Sequence, residues 1–292
     1  MDTKSPVGQK FDFEKFRLRT FVNRLIEIDE VDVRNDPVPL TRLSEIIEST
    51  PKAVLFKQAG PERLELISKA SASRARIVAA FDTSEDKVYD VFHGRLANPQ
   101  SVVEVPSDEA PVHEVKITGD DIDLTKLPFH PQHEFDGSCY ISAGIDYTID
   151  PVTGRTNVGS RRLSLRNRTQ TGTNVTAPSD LKRIYTACAK RGERLPVNFA
   201  IGSHPLDFMA AGMRVPADEV ALVATLRGAP VPLVKCKTND IRVPADAEMV
   251  FEGYFDEYGY REPEGPFGEA TGSYAMEGST HIFRIKAITR RS

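Results

Sequence analysis

The stretch NVGSRRLSLRNR, residues 157–168, decides which fold the chain can adopt. Period-two alternation places Arg162, Ser164, Arg166 and Arg168 on one face of an extended strand and Leu163 and Leu165 on the other. The result is a basic, amphipathic strand. Around it CYISAGIDYTI (139–149), VNFAIG (197–202), EMVFEGYFD (248–256) and HIFRIKAIT (281–289) are β-rich as well. Two helical patterns interrupt them. SDLKRIYTACAKRG (179–192) carries Leu181, Ile184, Tyr185 and Cys188 on one stripe, with Ser179 as N-cap and Gly192 just past the end. ADEVALVATLRG (217–228) is the second, and it also ends in glycine. This order is not a regular βαβα alternation. A doubly wound parallel sheet is therefore disfavoured, and a barrel-like or curved sheet with inserted helices is expected.

Before this region the pattern is mixed. Phe13, Phe16, Phe21, Val22, Leu25 and Ile26 recur at helical spacing after Asp12, which is expected to cap the helix, and Leu40, Leu43, Ile46 and Ile47 do the same around Thr41. KAVLF (52–56) and RIVAAF (76–81) are apolar runs of strand length. Residues 104–121 are rich in acids and carry Pro106 and Pro111, which is how a linker between domains reads. The expected class is α+β, with a mixed α/β domain over 1–115 and a β-rich domain over 116–292.

A chain of 292 residues with 40% hydrophobic and 27% charged positions is long enough for two cores. Its formal charge of -4 supplies no basic field for nucleic acid or an anionic membrane. Cys139, Cys188 and Cys236 form no C-x-x-C pair, which fits buried thiols in a reducing compartment, and a cytoplasmic protein is expected. MDTKSPVGQK at the start has no signal-peptide core, and no apolar run is long enough to cross a bilayer.

Common nucleotide and hydrolase signatures are absent: no G-x-G-x-x-G follows a strand, and neither a P-loop nor a G-x-S-x-G elbow occurs. HPQH (130–133) has two imidazoles three apart, a spacing a metal can use, but Pro128 and Pro131 favour a solvated loop. His204 reads as a helix-entry residue. The basic face of 162–168 is either the charged outside of a sheet edge or a wall of an anion site, where an Arg fork matches a carboxylate or phosphate. EGPFGE (264–269) is built to turn, through Gly265, Pro266 and Gly268. Its two acids either flank an exposed turn or meet in one pocket.

Four blocks in order, LTKLPFHPQHEFDGSCYISAG, TNVGSRR, VPLVKCKTNDIRVPADAEMVFEG and EGPFGEATGSY, resemble the UbiD family of decarboxylases, whose members use prenylated FMN. The similarity runs from about Leu40 to the C-terminus and is strongest from Asp121 onward. The resemblance implies a split, flavin-reductase-like β-barrel binding that cofactor, and reversible non-oxidative decarboxylation of an aromatic or α,β-unsaturated carboxylic acid. It places the catalytic set on Arg162, Glu264 and Glu269 and the divalent ion, Mn²⁺ or Mg²⁺, on Asn157, Asp180 and Glu219. In this chain Asp180 stands where the family more often has His. Cofactor contacts would come from Asn157, Val158, Ser160, Arg161, Arg162, Ser179, Met213 and Glu219, and K⁺ would sit on backbone carbonyls around Ala211 and Met213. The implied partners are a flavin prenyltransferase that supplies the cofactor and further copies of the chain. Family members continue into a C-terminal domain that closes the pocket, so the alternative expectation is a cofactor-binding or assembly subunit completed by a partner chain.

Overall fold

The computed structural model describes residues 11–175, 178–215 and 218–292. Residues 1–10, where no signal-peptide core is expected, lie outside them. The first part runs α1 (Leu18–Glu27), β1 (Val31–Arg34), α2 (Leu43–Glu48), β2 (Ala53–Ala59), β3 (Leu64–Ser68), α3 (Arg74–Ala80) and α4 (Val88–Ala97). β2 lies between a parallel β1 and an antiparallel β3. Its alternation serves two cores: Ala53 and Leu55 face α1 and α3, while Val54 and Phe56 pack with Leu43 of α2.

Two local expectations fail here. Asp12 does not cap α1; its Oδ1 accepts from the Glu14 N–H in a turn, and the helix starts six residues later at Leu18. RIVAAF is a helix, α3, and not a strand. Ser73 caps it by accepting from the Arg76 N–H, and the Arg76 guanidinium reaches Glu30, so a short apolar run with two alanines is held helical by its cap and an ion pair.

The chain continues through β4 (Val102–Glu104), β5 (Val115–Thr118), β6 (Tyr140–Ile149), β7 (Thr156–Asn167), β8 (Gln170–Thr173), α5 (Asp180–Lys190), β9 (Leu195–Ile201), α6 (Pro205–Ala211), α7 (Glu219–Arg227), β10 (Val231–Lys235), β11 (Arg242–Pro244), β12 (Met249–Phe255), β13 (Glu262–Gly268) and β14 (Tyr274–Arg290). Strands pair in the order β12-β9-β6-β7-β8-β14, and β12 also pairs with β14, which closes a six-stranded barrel. A bulge at Glu252/Gly253 bends β12 against β14; a Cβ on Gly253 would lie 2.1 Å from the Arg284 carbonyl oxygen. The stripe on α5 packs as its spacing predicts, with Leu181, Ile184, Tyr185 and Cys188 buried against Phe199, Phe251, Phe255 and Phe283. α7 ends on Gly228 with φ 66°.

The proline-rich segment from 104 is packed: Val105, Ala110 and Val112 join the core around α7 and β10, β4 pairs with β10, and β5 with β14. Among the described residues no helix is long and apolar enough to cross a membrane, and the three cysteines are unpaired.

Candidate active site

β7 is flanked by β6 and β8, so its basic face is not a sheet edge. From its middle, Arg162 donates through Nε and Nη2 to both oxygens of Glu264, at 2.8 and 2.7 Å, and through Nη1 to Glu269 Oε1 at 2.8 Å. Its guanidinium lies 4.3 Å above the Phe267 ring. Burial alone would lower the Arg162 pKa; the bonds to Glu264 and Glu269 outweigh it and raise it. The two acids are not equivalent. The Glu264 side chain is fully buried, whereas that of Glu269 is 41% exposed.

The hexapeptide EGPFGE kinks but does not reverse. Residues 262–268 stay in β13, paired with β14, with irregular register between Glu264 and Phe267 where Gly265 has φ 101°. The reversal comes just after, where the Glu269 N–H donates to the Ser273 carbonyl. The kink brings positions of odd offset to one side, and both acids reach Arg162.

A collar of aromatic groups holds β13 in place. Tyr140 packs on Phe267 at 4.7 Å, and burial, reinforced by Glu264, pushes the Tyr140 hydroxyl up to about 12. Asp136 accepts from the N–H groups of Gln132, His133 and Gly268. His133 stands edge-on to Phe267 at 5.6 Å, so close to β13 that a Cβ on Gly268 would sit 2.3 Å from its ring. The HPQH loop is thus not solvated as expected: His130 is buried, bonded to the Pro128 carbonyl oxygen and bridged to Tyr140, because the loop is docked under the site. His204 is the N-cap of α6, accepting from the Leu206 N–H.

At the other end of β7, the residues expected to hold a cation and phosphate gather around the starts of α5 and α7. Glu219 Oε2 accepts from the Val158 N–H at 2.8 Å. Burial raises the Glu219 pKa, Val158 opposes, and Asp180 and Asp146 add to the rise. Asn157 donates to Asp146 at 3.3 Å. Asp180 opens α5 behind its cap Ser179 and lies 3.4 Å from Arg183 Nε and 3.9 Å from Arg214 Nε. Arg161 bonds to the Ser160 carbonyl oxygen and to Ser179 Oγ. Ala211 ends α6, and Met213 just beyond packs against the core around α7.

Asn157, Asp180 and Glu219 offer oxygen donors only, which suits Mg²⁺ or Mn²⁺. Among the described residues no group of three or more His, Cys, Asp or Glu is arranged to hold a metal, so this set reaches three ligands only through the Asn157 amide. The acids that crowd Glu219 and the N-terminus of α5 fit a cation and a phosphate side by side.

Sequence reasoning missed Asp146, Asp136, Tyr140 and Phe267. A signal existed for the first: Asp is depleted in strands, and Asp146 is the one charged residue of β6.

A family profile described as "UbiD: 3-octaprenyl-4-hydroxybenzoate carboxy-lyase Rift-related domain" matches residues 103–292. An anhydromevalonate phosphate decarboxylase of Methanosarcina mazei is 30% identical over 276 residues, covering 94% of this chain and 62% of that protein. The UbiD-class enzyme HmfF of Pelotomaculum thermopropionicum, solved in complex with prFMN as an evolved dimeric form, superposes with a TM-score of 0.89 at 27% identity, over 95% of this chain and 66% of that one. The vanillic acid decarboxylase of Sedimentibacter hydroxybenzoicus in its closed form gives 0.89 at 25% identity, over 97% and 63% of the two chains. The chain thus spans 62–66% of the length of these relatives.

Proposed function

The chain belongs to the UbiD family, and from that premise we propose that it takes part in the reversible non-oxidative decarboxylation of an aromatic or α,β-unsaturated carboxylic acid, with prenylated FMN and a divalent ion. The observation that carries the reading is the unequal clamp on Arg162, with Glu264 buried and bidentate and Glu269 half-exposed and bound through one atom. When bound, the prenylated flavin supplies the electron sink that loss of CO₂ from an sp² carbon requires and that no side chain offers.

The protein's own residues do the rest. Glu264 uses both oxygens to hold the Arg162 fork in one orientation. An incoming substrate carboxylate takes over Nη1, the one position that an exposed partner occupies. Glu269, released from Arg162 and open to solvent, takes up a proton from water and passes it to the carbon from which the carboxyl group departs. Phe267, stacked on the guanidinium, and Tyr140 packed behind it form an apolar backing beneath Arg162. Asn157, Asp180 and Glu219 would hold Mn²⁺ or Mg²⁺ against the cofactor phosphate, with Arg161, Ser160, Val158 and Ser179 beside it. K⁺ on carbonyls near Ala211 and Met213 belongs to the same reading, as do a flavin prenyltransferase supplier and assembly with further chains.

Protein produced together with a flavin prenyltransferase should yield prenylated FMN on extraction and release CO₂ from a member of a panel of unsaturated acids. Arg162→Ala should abolish release. Full turnover by that variant, or cofactor-loaded protein inert toward every acid, would remove the support for this reading.

A further inference from the structure

Asp146 has no part in the clamp, yet it is fully buried in β6. It lies across from Gly159 of β7, and a Cβ on Gly159 would come within 2.8 Å of its Oδ1. Only a glycine there lets the carboxylate lie over the backbone between Asn157 and Arg161. A buried carboxylate is costly unless it is paired and hydrogen-bonded, and both of its partners belong to the proposed cofactor site. Oδ2 accepts from Asn157 Nδ2 at 3.3 Å, and Oδ1 faces Arg161 Nε at 3.5 Å. The Oδ1 and Nε atoms are buried without a hydrogen-bond partner, so the second contact is ionic and leaves the guanidinium edge free to act elsewhere.

Both contacts have directional consequences. A carboxylate only accepts, so the Asn157 amide must turn its NH₂ toward Asp146 and carry its carbonyl oxygen on the opposite edge, where a cation can use it. Arg161, tethered at Nε, reaches with its terminal nitrogens to the Ser160 carbonyl oxygen at 2.9 Å and to Ser179 Oγ, the cap of α5, at 3.5 Å. A positive charge is thereby fixed beside a helix N-terminus, where phosphate oxygens are favoured.

Building on the function proposed above, we propose that Asp146 is the positioning residue of the cation and phosphate site: it orients the Asn157 oxygen toward the divalent ion and holds Arg161 against the start of α5. Asp146 touches neither ion; it acts through these two neighbours, as outer-sphere acids do at other metal sites.

The test is a fluorescence titration of the purified full chain with FMN, with and without Mn²⁺, on the wild type and on Asp146→Ala, Asp146→Asn, Asn157→Ala and Arg161→Ala, alongside thermal melts. Wild-type protein should bind FMN more tightly when Mn²⁺ is present. Asp146→Ala should lower Mn²⁺ affinity by about 10- to 100-fold, and Asp146→Asn, which still offers Asn157 an acceptor, should stay within about threefold of wild type. Asp146→Asn and Arg161→Ala should both weaken FMN binding when no metal is added, since each removes the ionic tether. Asp146→Ala with wild-type Mn²⁺ affinity, or Asp146→Asn as impaired toward Mn²⁺ as Asn157→Ala, overturns the inference alone. The second comparison decides if Asp146→Ala does not fold. A wild type whose FMN binding ignores Mn²⁺ overturns the underlying cofactor reading, and this inference with it.

Discussion

Arg227 and Arg162 each stand between two carboxylates, but in different surroundings. Arg227, at the end of α7, grips Asp207 of α6 at 2.7 and 2.6 Å and Asp246 before β12 at 2.5 and 3.1 Å, and it lies 4.9 Å from the Phe16 ring. No member of that trio exposes more than 2% of its side chain. Burial would discharge the arginine, but the two aspartates more than reverse this and hold its pKa well above the usual value. Around Arg162, one acid is equally buried and the other is open to solvent. A trio sealed on all sides can only tie elements together. With one partner at the surface, the same chemistry becomes an exchangeable site.

The contrast can be broken at several points. Arg227→Ala strands two buried carboxylates, and a loss of about 3–5 kcal/mol is expected in urea unfolding, a large share of the roughly 5–15 kcal/mol that holds a domain folded. Glu269→Gln should cut turnover by roughly 10²- to 10⁴-fold while moving the unfolding midpoint by no more than about 1 kcal/mol of stability. Glu264→Gln should lose both turnover and stability, the latter by about 1–3 kcal/mol, because it leaves part of a buried fork unpaired.

Acid sharpens the comparison further. His204 and His281 are buried, and burial drives both down to about 3, with Arg227 adding at the first and Arg161 at the second. Their folded pKa lies below the unfolded value of about 6.5, so the unfolded chain binds the extra protons and the stability present above that pH is lost as pH falls toward about 3. His281→Leu should make this decline shallower by about 1.4 kcal/mol per pH unit, read from urea midpoints across the range. Gly268→Ala, where the new methyl pushes His133 off Phe267, should cost about 1–3 kcal/mol, measured as a lower melting temperature.

Much of this was legible in local pattern. The α5 stripe follows the helical period, and every one of its four apolar residues is buried. Arg162 could be assigned to one strand face, but whether that face was an edge or a wall depended on strand pairing across the barrel, which no window of sequence contains. The clamp itself was reached through family likeness, since Glu264 and Glu269 lie a hundred residues from Arg162 and meet it only because β13 kinks. RIVAAF misled because an apolar run of that length suits helix and strand alike, and Ser73 decided the matter from outside it. The partners of Arg227 and Asp146 were invisible for a related reason. They are set by register and helix packing, and a lone charge in an apolar stretch announces a partner without naming it.

The exchange at Arg162 is tested most directly by a crystal structure of the flavin-loaded protein with a non-reactive unsaturated acid bound. The expected result is a ligand carboxylate within about 3 Å of Arg162 Nη1, with Glu269 displaced and Glu264 still bonded at Nε and Nη2. A ligand lodged away from Arg162, or one that displaces Glu264 and leaves Glu269 in place, would contradict the account.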